Sequence, residues 1–485
     1  MVESAIPNLG TPSLEFEATL VRKLIQLGPR YTSYPTMDRL SDAFGYRDFL
    51  QTVFGLRARG STRHLSLYVH IPFCETVCHF CSCNKIVTRD RTKATTYLSY
   101  LKHEIEMQGK LFSGMNHIQK LHIGGGTPTY LSDAQMEDLM THLRRWFHFA
   151  SDFDGEYSIE VDPRTVTAER IHALRKLGFN RISIGVQDFD PEVQKAVNRI
   201  QSEQDTLNII RAARDACFRS VSIDLIYGLP KQNVITMAQT LNKVINAEPD
   251  RIAVYNYVHG PSMFKPQRRI AKQDLPTLDA RLDMFSLCIK RLTDAGYVYI
   301  GMDHFAKPTD DLATAQRQGR LHRNFQGYSA QAESNLVAFG VSGISAVAAT
   351  YSQNVKTLDE YYEHIEQNEL PIARGIKLTM DDLLRRIIIQ MLMCNFELSI
   401  ASIQLAYPIT FANYFAAELE KLRELEQNGL LTVDEEWISV TLKGRLLIRN
   451  ICMVFDRYLN TACEVKTGGA SATNETRPLR YSKKI

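Results

Sequence analysis

Between residues 64 and 260 the chain repeats one pattern: a short β-rich run, a turn, then an amphipathic stretch. The runs are HLSLYVHI (64–71), KLHIG (120–124), EYSIEV (156–161), RISIGV (181–186), SVSIDLIYG (220–228) and RIAVYNYV (251–258). Their Val, Ile and Tyr suit a pleated, buried surface. The intervening stretches, such as TTYLSYLKHEIEMQGKLF (95–112) and MEDLMTHLRRWF (136–147), space apolar residues three and four apart, the helical period. Six such alternations predict an α/β fold around a parallel sheet, open or rolled into a barrel. Sheets of this kind carry their sites at the carboxyl ends of the strands. The unusual residues gather there: four cysteines after the first run, GGGTPT (124–129) after the second, Glu160 at the end of the third, Gln187 after the fourth and Asp224 in the fifth.

A length of 485 residues, 44% of them hydrophobic and 23% charged, is enough for two or three domains with substantial cores. A net charge of +3 is too mild to argue for nucleic acid or an anionic membrane as partner. No apolar stretch is long enough to span a bilayer, and MVESAIPNLGTPSLEFE at the start lacks a basic segment before an apolar core. The chain is therefore expected in the cytoplasm, with its cysteines reduced. Cys217, Cys288, Cys394, Cys452 and Cys463 are scattered and read mostly as small buried hydrophobes.

The stretch 377–458 has helical patterns in MDDLLRRIIIQMLMCNF, FAAELEKLRELEQNG and LLIRNICMVFDRYL, with a hairpin in LLTVDEEWISVT (430–441). That order suggests a winged-helix-like arrangement. The acidic Glu418, Glu420, Glu424 and Glu426 argue against DNA and for a structural cover. Residues 464–476 are polar and low in large apolar side chains.

Cys74, Cys78, Cys81 and Cys83 stand within ten residues, in HIPFCETVCHFCSCNK (70–85). Structural zinc sites usually take two separated cysteine pairs, and no second pair exists here. The spacing CxxxCxxC of Cys74, Cys78 and Cys81 can instead wrap three corners of a four-iron, four-sulfur cluster, whose preferred ligands are thiolates. Three ligands leave one iron open. At this point the sequence resembles the radical S-adenosylmethionine (SAM) superfamily, in which the open iron is chelated by the methionine moiety of SAM. One electron then splits the sulfonium to give a 5′-deoxyadenosyl radical.

The resemblance extends further. GPRYTSYPT (28–36), YVHIPFC (68–74), CSCNK (81–85), LHIGGGTPTYL (121–131), IEVDPR (159–164), GVQDF (185–189), AVNRIQ (196–201), DLIYGLP (224–230), GRLHRNFQGY (319–328) and RNICMVFD (449–456) stand in order along the chain. Together they are similar to the oxygen-independent coproporphyrinogen III oxidase (dehydrogenase) family of heme biosynthesis. The resemblance implies an incomplete (β/α)6 TIM-like radical-SAM barrel with extra strands, plus a C-terminal mainly helical domain. The implied division is a substrate-covering segment at 1–50, the barrel at 51–375, a helical domain at 376–463 and a polar tail at 464–485.

Carried over by position, Cys74, Cys78 and Cys81 would bind the cluster. Tyr68, Phe80, Gly125, Gly126, Thr127, Glu160, Gln187, Arg199, Asp224, Val258 and Ile344 would contact SAM, some of them around a second SAM molecule. Cys83 matches the family's fourth cysteine, which is not a cluster ligand, and is assigned to the substrate side. The implied reaction converts two propionates of coproporphyrinogen III to vinyls, giving protoporphyrinogen IX. Four substrate carboxylates need cations nearby, and Arg30 and Arg323 are the expected residues. The resemblance also implies a reduced flavodoxin- or ferredoxin-like electron donor and a monomer.

Ser82, Val258, Gly343 and the run YSAQAESNL (328–336), with Ser334 and Asn335, depart from the family's usual residues. Competing readings are a heme chaperone on the same scaffold, another radical enzyme acting on a tetrapyrrole, and a zinc- or cluster-binding module. The chaperones typically lack the GPRYTSYPT arm and the Cys83 position. Cluster reconstitution and 5′-deoxyadenosine release separate the remainder.

Overall fold

Seven parallel strands form the centre of one large sheet in the computed structural model, which describes residues 14, 16–24, 28–60, 64–331 and 335–459. Ser334, Cys463 and the 464–485 segment lie outside the described residues. The six runs expected from sequence are β1 (Leu65–Ile71), β2 (His117–Gly125), β3 (Glu156–Val161), β4 (Arg181–Gln187), β5 (Ser220–Tyr227) and β6 (Arg251–Asn256). They pair in parallel in that order, each with the next. Beyond β6 an antiparallel hairpin follows, β7 (Val298–Gly301) and β8 (His304–Ala306), with β8 against β6. On the other flank β9 (Asn335–Phe339) adds to β1 in parallel. The antiparallel β10 (Ile344–Val347), β11 (Thr350–Asn354) and β12 (Ile372–Lys377) complete that edge. The two ends of this path do not pair with each other among the described residues, so the barrel is incomplete, with extra strands on both sides.

Local sequence explains most of the elements. β1 is buried on both faces except at Tyr68, as expected of a parallel strand covered by helices. The helices between strands start on polar caps. Ser132 opens Asp133–Trp146, Thr167 opens Ala168–Lys176, Ser202 opens Glu203–Asp215 and Asn233 opens Val234–Asn246, each accepting a backbone N–H. One such cap typically contributes about 1 kcal/mol.

After β12, Thr379 caps a helix at Met380–Asn395, which stops where Phe396 turns left-handed at φ 62°. A three-stranded antiparallel sheet follows, made by Glu397–Ser399, Leu431–Val433 and Trp437–Val440, with the helix Ala416–Gln427 leading into the expected hairpin. The last complete helix among the described residues is Ile448–Val454, and a further helical turn starts at Arg457. One continuous apolar core joins the barrel strands to these helices, from Val21 through Leu67, Ile184 and Leu392 to Phe455. Burying each such side chain contributes roughly 1.5–3 kcal/mol. Cys288, Cys394 and Cys452 are buried in that core, while Cys217 is exposed.

The arm GPRYTSYPT closes over this assembly by specific contacts with the last helix. A Cβ on Gly28 would fall 2.4 Å from Met453 Sδ, so the arm backbone lies directly against that side chain, which a larger residue would have to displace. Tyr31 donates its hydroxyl to Asp456 (2.8 Å), and the backbone N–H of Arg457 donates to the Tyr34 hydroxyl (3.3 Å).

Candidate active site

The cysteine loop is pinned at its base. Phe73–Cys74 pairs in parallel with Ile86–Val87, and Thr88 donates its backbone N–H to Cys74 O (2.9 Å). Its outer part is tied to the segment after β4: His79 donates its N–H to Val197 O (2.9 Å), and Asn198 donates to Val77 O (2.7 Å). Three cysteines are thus held over the carboxyl end of the sheet.

Each of the first two sulfurs receives donors from a neighbouring strand end. The Thr127 hydroxyl donates to Cys74 Sγ (3.4 Å). Cys78 Sγ accepts from Arg199 (3.5 Å) and from Arg164 (3.6 Å). Both arginines also grip Asp162, at 3.0 and 2.6 Å. Burial pushes the Asp162 carboxyl up, but Arg199 and then Arg164 hold it below the usual range. Two guanidiniums and one carboxylate leave a charge of +1 beside Cys78, which its own thiolate would cancel.

The remaining thiols differ. Burial pushes Cys74 up to about 11 despite the Thr127 bond. The hydrogen bond from Cys83 draws Cys81 down to about 6, and that bond together with burial raises Cys83. Cys83 lies deep within the protein yet opens onto a cavity, which explains both its high exposure and its raised pKa. Among the described residues no three His, Cys, Asp or Glu side chains come close enough to hold a single metal ion. Three thiols on one loop, Cys74, Cys78 and Cys81, are the donor type that a cube of iron and sulfide takes.

The GGG turn lies next to this loop. At Gly125, with φ 123°, a Cβ would meet Ile71 O at 2.8 Å, and at Gly126 one would meet Pro72 O at 2.7 Å. Only glycine therefore lets this turn pack directly against the backbone that leads into the cysteine loop. Gly125 donates its N–H to Glu160 Oε2 (3.2 Å), and His122 bonds Glu160 Oε1 (3.1 Å). Burial would raise Glu160, but these partners, His122 first, hold it lowered and ionised. Tyr68 stacks on His122 at 5.8 Å and bonds His70 Nδ1 (3.1 Å). His70 in turn donates to Asn84 O (2.9 Å), so the cysteine loop and β1 share one network.

A cavity of 610 Å³ opens beside the loop. Its walls include Phe80, Cys81, Cys83, Gln187, Asp224 and Val258, and the arm contributes Arg30. Gln187 ends β4 with φ 68°, which turns its side chain off the strand. Asp224 accepts from Ser183 (3.2 Å), and burial, then the Glu160 charge, raises it to about 7.

Two expected residues stand elsewhere. Ile344 opens β10, between β9 and β11, and does not line this cavity. Arg323 lines a second, smaller cavity, which shares Tyr31, Thr32 and Ser33 of the arm with the first.

Several site residues escaped the reading from sequence. Gln267 is buried and donates both to Phe80 O (3.1 Å) and to Val258 O (3.1 Å), fixing two cavity residues from a loop with no motif. Asp162, Arg164 and His122 lie inside quoted motifs and were legible as polar residues at strand ends, but only their contacts reveal their work.

A family model described as the Radical SAM superfamily matches residues 68–244, and one described as the HemN C-terminal domain matches 378–447. The barrel and its cysteine loop are thus of radical SAM type. Oxygen-independent coproporphyrinogen III oxidase of Escherichia coli K12 is 50% identical over 451 residues, spanning 93% of this chain and 97% of the relative. The namesake from Salmonella typhimurium is 50% identical over 446 residues, 92% of this chain and 96% of the relative. A solved structure of coproporphyrinogen III oxidase from Escherichia coli, described as a radical SAM enzyme, superposes with a TM-score of 0.87 at 49% identity, covering 92% of this chain and all of that one. The chain belongs to the oxygen-independent coproporphyrinogen III oxidase family of radical SAM enzymes. The resemblance read from the sequence motifs, and the fold it implied, are borne out.

Proposed function

We propose that this chain carries out the oxidative decarboxylation of two propionates of coproporphyrinogen III, giving protoporphyrinogen IX in anaerobic heme biosynthesis. One observation carries the reading: the cysteine loop and Arg30 of the arm line the same 610 Å³ cavity, within the size range of ligand sites. Bound there, a 4Fe–4S cluster and SAM would supply one electron and a 5′-deoxyadenosyl radical per propionate. The rest is the work of the chain. Cys74, Cys78 and Cys81 are assigned to the cluster, with Thr127, Arg164 and Arg199 donating at their sulfurs. Tyr68, Phe80, Gly125, Gly126, Thr127, Glu160, Gln187, Arg199, Asp224, Val258 and Ile344 are assigned to SAM. Cys83 and Arg30 face the substrate, and the arm excludes water. Each propionate loses a hydrogen atom from its β-carbon, carbon dioxide, and one electron to an acceptor.

In this reading the described part of residues 1–50 covers the substrate, 51–375 hold the chemistry, and the described part of 376–463 braces the cover. No helix among the described residues is long and apolar enough to cross a membrane. A cytoplasmic monomer drawing electrons from a reduced flavodoxin- or ferredoxin-like protein completes the proposal. The test is anaerobic reconstitution with iron and sulfide, then dithionite, SAM and coproporphyrinogen III. Two 5′-deoxyadenosines and two carbon dioxides per protoporphyrinogen IX are expected. Cleavage of SAM with no change in the tetrapyrrole would overturn it.

A further inference from the structure

Arg30, Arg323 and Arg449 come from the arm, the His322–Ser329 hairpin and the helix Ile448–Val454; Asp303, in the turn between β7 and β8, pairs with Arg30, and its charge also acts on Arg323 and Arg449. Arg30 stands 3.9 Å from Asp303 and reaches Asn256 O at 3.5 Å. Arg323 lies over the Tyr328 ring at 4.6 Å. Arg449 and Met453 are four apart on one helix, hence on one face, and Met453 is the residue that Gly28 of the arm packs against. Arg449 is 9% exposed.

Three guanidiniums and one carboxylate together carry a charge of +2. Arg30 Nε, and both Nε and Nη1 of Arg323 and Arg449, have no hydrogen-bond partner among the described residues. Buried N–H donors without acceptors are costly. His304 Nδ1, close by, also lacks a partner, and burial, with the charges of Arg323 and Arg30, pushes that imidazole down to about 3. Two carboxylates would neutralise the excess and accept from the planar forks of the guanidiniums.

We infer that Arg449 completes, with Arg30 and Arg323, a receptor for two propionate carboxylates of the tetrapyrrole, with Asp303 as the resident counter-ion that holds the three cations together in the empty protein. The inference rests on the proposed substrate class. It assigns the receptor to the two propionates that survive in the product, since those must be gripped while the others react.

The iron-loaded protein is titrated with deuteroporphyrin IX, which keeps only two propionates, and with its dimethyl ester, following porphyrin fluorescence. The wild type is expected to prefer the diacid, and Arg449→Gln to weaken diacid binding about 10–100-fold, the range of one charge-assisted bond. Ester binding and iron content should not move. Arg449→Lys, which keeps charge but loses the fork, should restore part of the affinity. Equal binding of diacid and ester by the wild type, or unchanged diacid affinity in an iron-loaded Arg449→Gln protein, would overturn the receptor. If Arg449→Gln fails to retain iron, Arg323→Gln is read by the same two criteria. The proposed reaction fails separately, when the wild type binds the diacid yet releases no carbon dioxide from coproporphyrinogen III.

Discussion

Two clusters in this molecule are built alike and finished differently. At the cysteine loop, Arg164 and Arg199 surround Asp162, and the charge left over falls on Cys78, a residue of the same chain. Beneath the arm, Arg30 pairs with Asp303, whose charge also acts on Arg323 and Arg449, and several of their guanidinium nitrogens meet no acceptor among the described residues. The first arrangement directs its surplus charge at a sulfur of the same chain, which suits the cluster holder proposed for this loop. The second keeps a surplus of buried positive charge, so it awaits an anion from outside. A partner count at buried charges therefore separates a cofactor mount from a substrate receptor.

The largest effect is expected at the holder. Cys78→Ser removes a sulfur and strands two arginines. Iron retained after anaerobic reconstitution should fall to background, and turnover by more than the ~100-fold that loss of an outer partner costs. Asp162→Asn should be milder, about 10–100-fold in iron retention on dilution, because it releases Arg164 and Arg199 without touching a thiol. Retained iron in both variants would end the analogy between the clusters.

The same change at the receptor should have the opposite sign. Asp303→Asn removes the resident carboxylate, so the apo protein should melt at lower temperature while deuteroporphyrin IX binds ~3–10-fold tighter. A calorimetric melt with and without the porphyrin reads both. Weaker binding in that variant would mean that Asp303 orders the arginines and does not compete with the ligand.

The smallest effect is a pH dependence. Asp224 sits at about 7, above its ordinary 3.8, because burial and the Glu160 charge favour its neutral form. A raised acid contributes stability that is complete below the unfolded value and is lost as pH rises through the folded one. The apo protein should lose stability from this group between about pH 4 and pH 7. Glu104, also raised to about 7 by burial, acts with the same sign. A cationic ligand such as SAM favours ionised Asp224, so its affinity should rise up to ~10-fold from pH 6 to pH 8. Equilibrium dialysis should show that rise in the wild type and a flat profile in Asp224→Asn.

How much was legible in advance follows the same divide. Six of the seven central strands could be read, because parallel strands covered on both sides are short apolar runs with turns between them. β9 could not: it joins β1 in parallel from far along the chain, and nothing in NLVAF names its neighbour. Cys74, Cys78 and Cys81 were legible because their spacing is itself the geometry of one loop. Arg30 and Arg323 were legible only as cations that a tetracarboxylate would want. Arg449 was hidden inside a quoted block, and Gln267 in a stretch with no motif at all.

Amino-acid order alone settled the β/α alternation, the three-thiol loop and the glycine turn beside it, since each depends on residues within a few positions of one another and on preferences of the local backbone. The folded chain decided which distant charges meet. Arg30 and Arg449 lie at opposite ends of the sequence, and what joins them is packing of the arm on the last helix, through Gly28 on Met453 and Tyr31 on Asp456. Charge balance in a buried cluster is a sum over neighbours in space, and no spacing along the chain carries that sum.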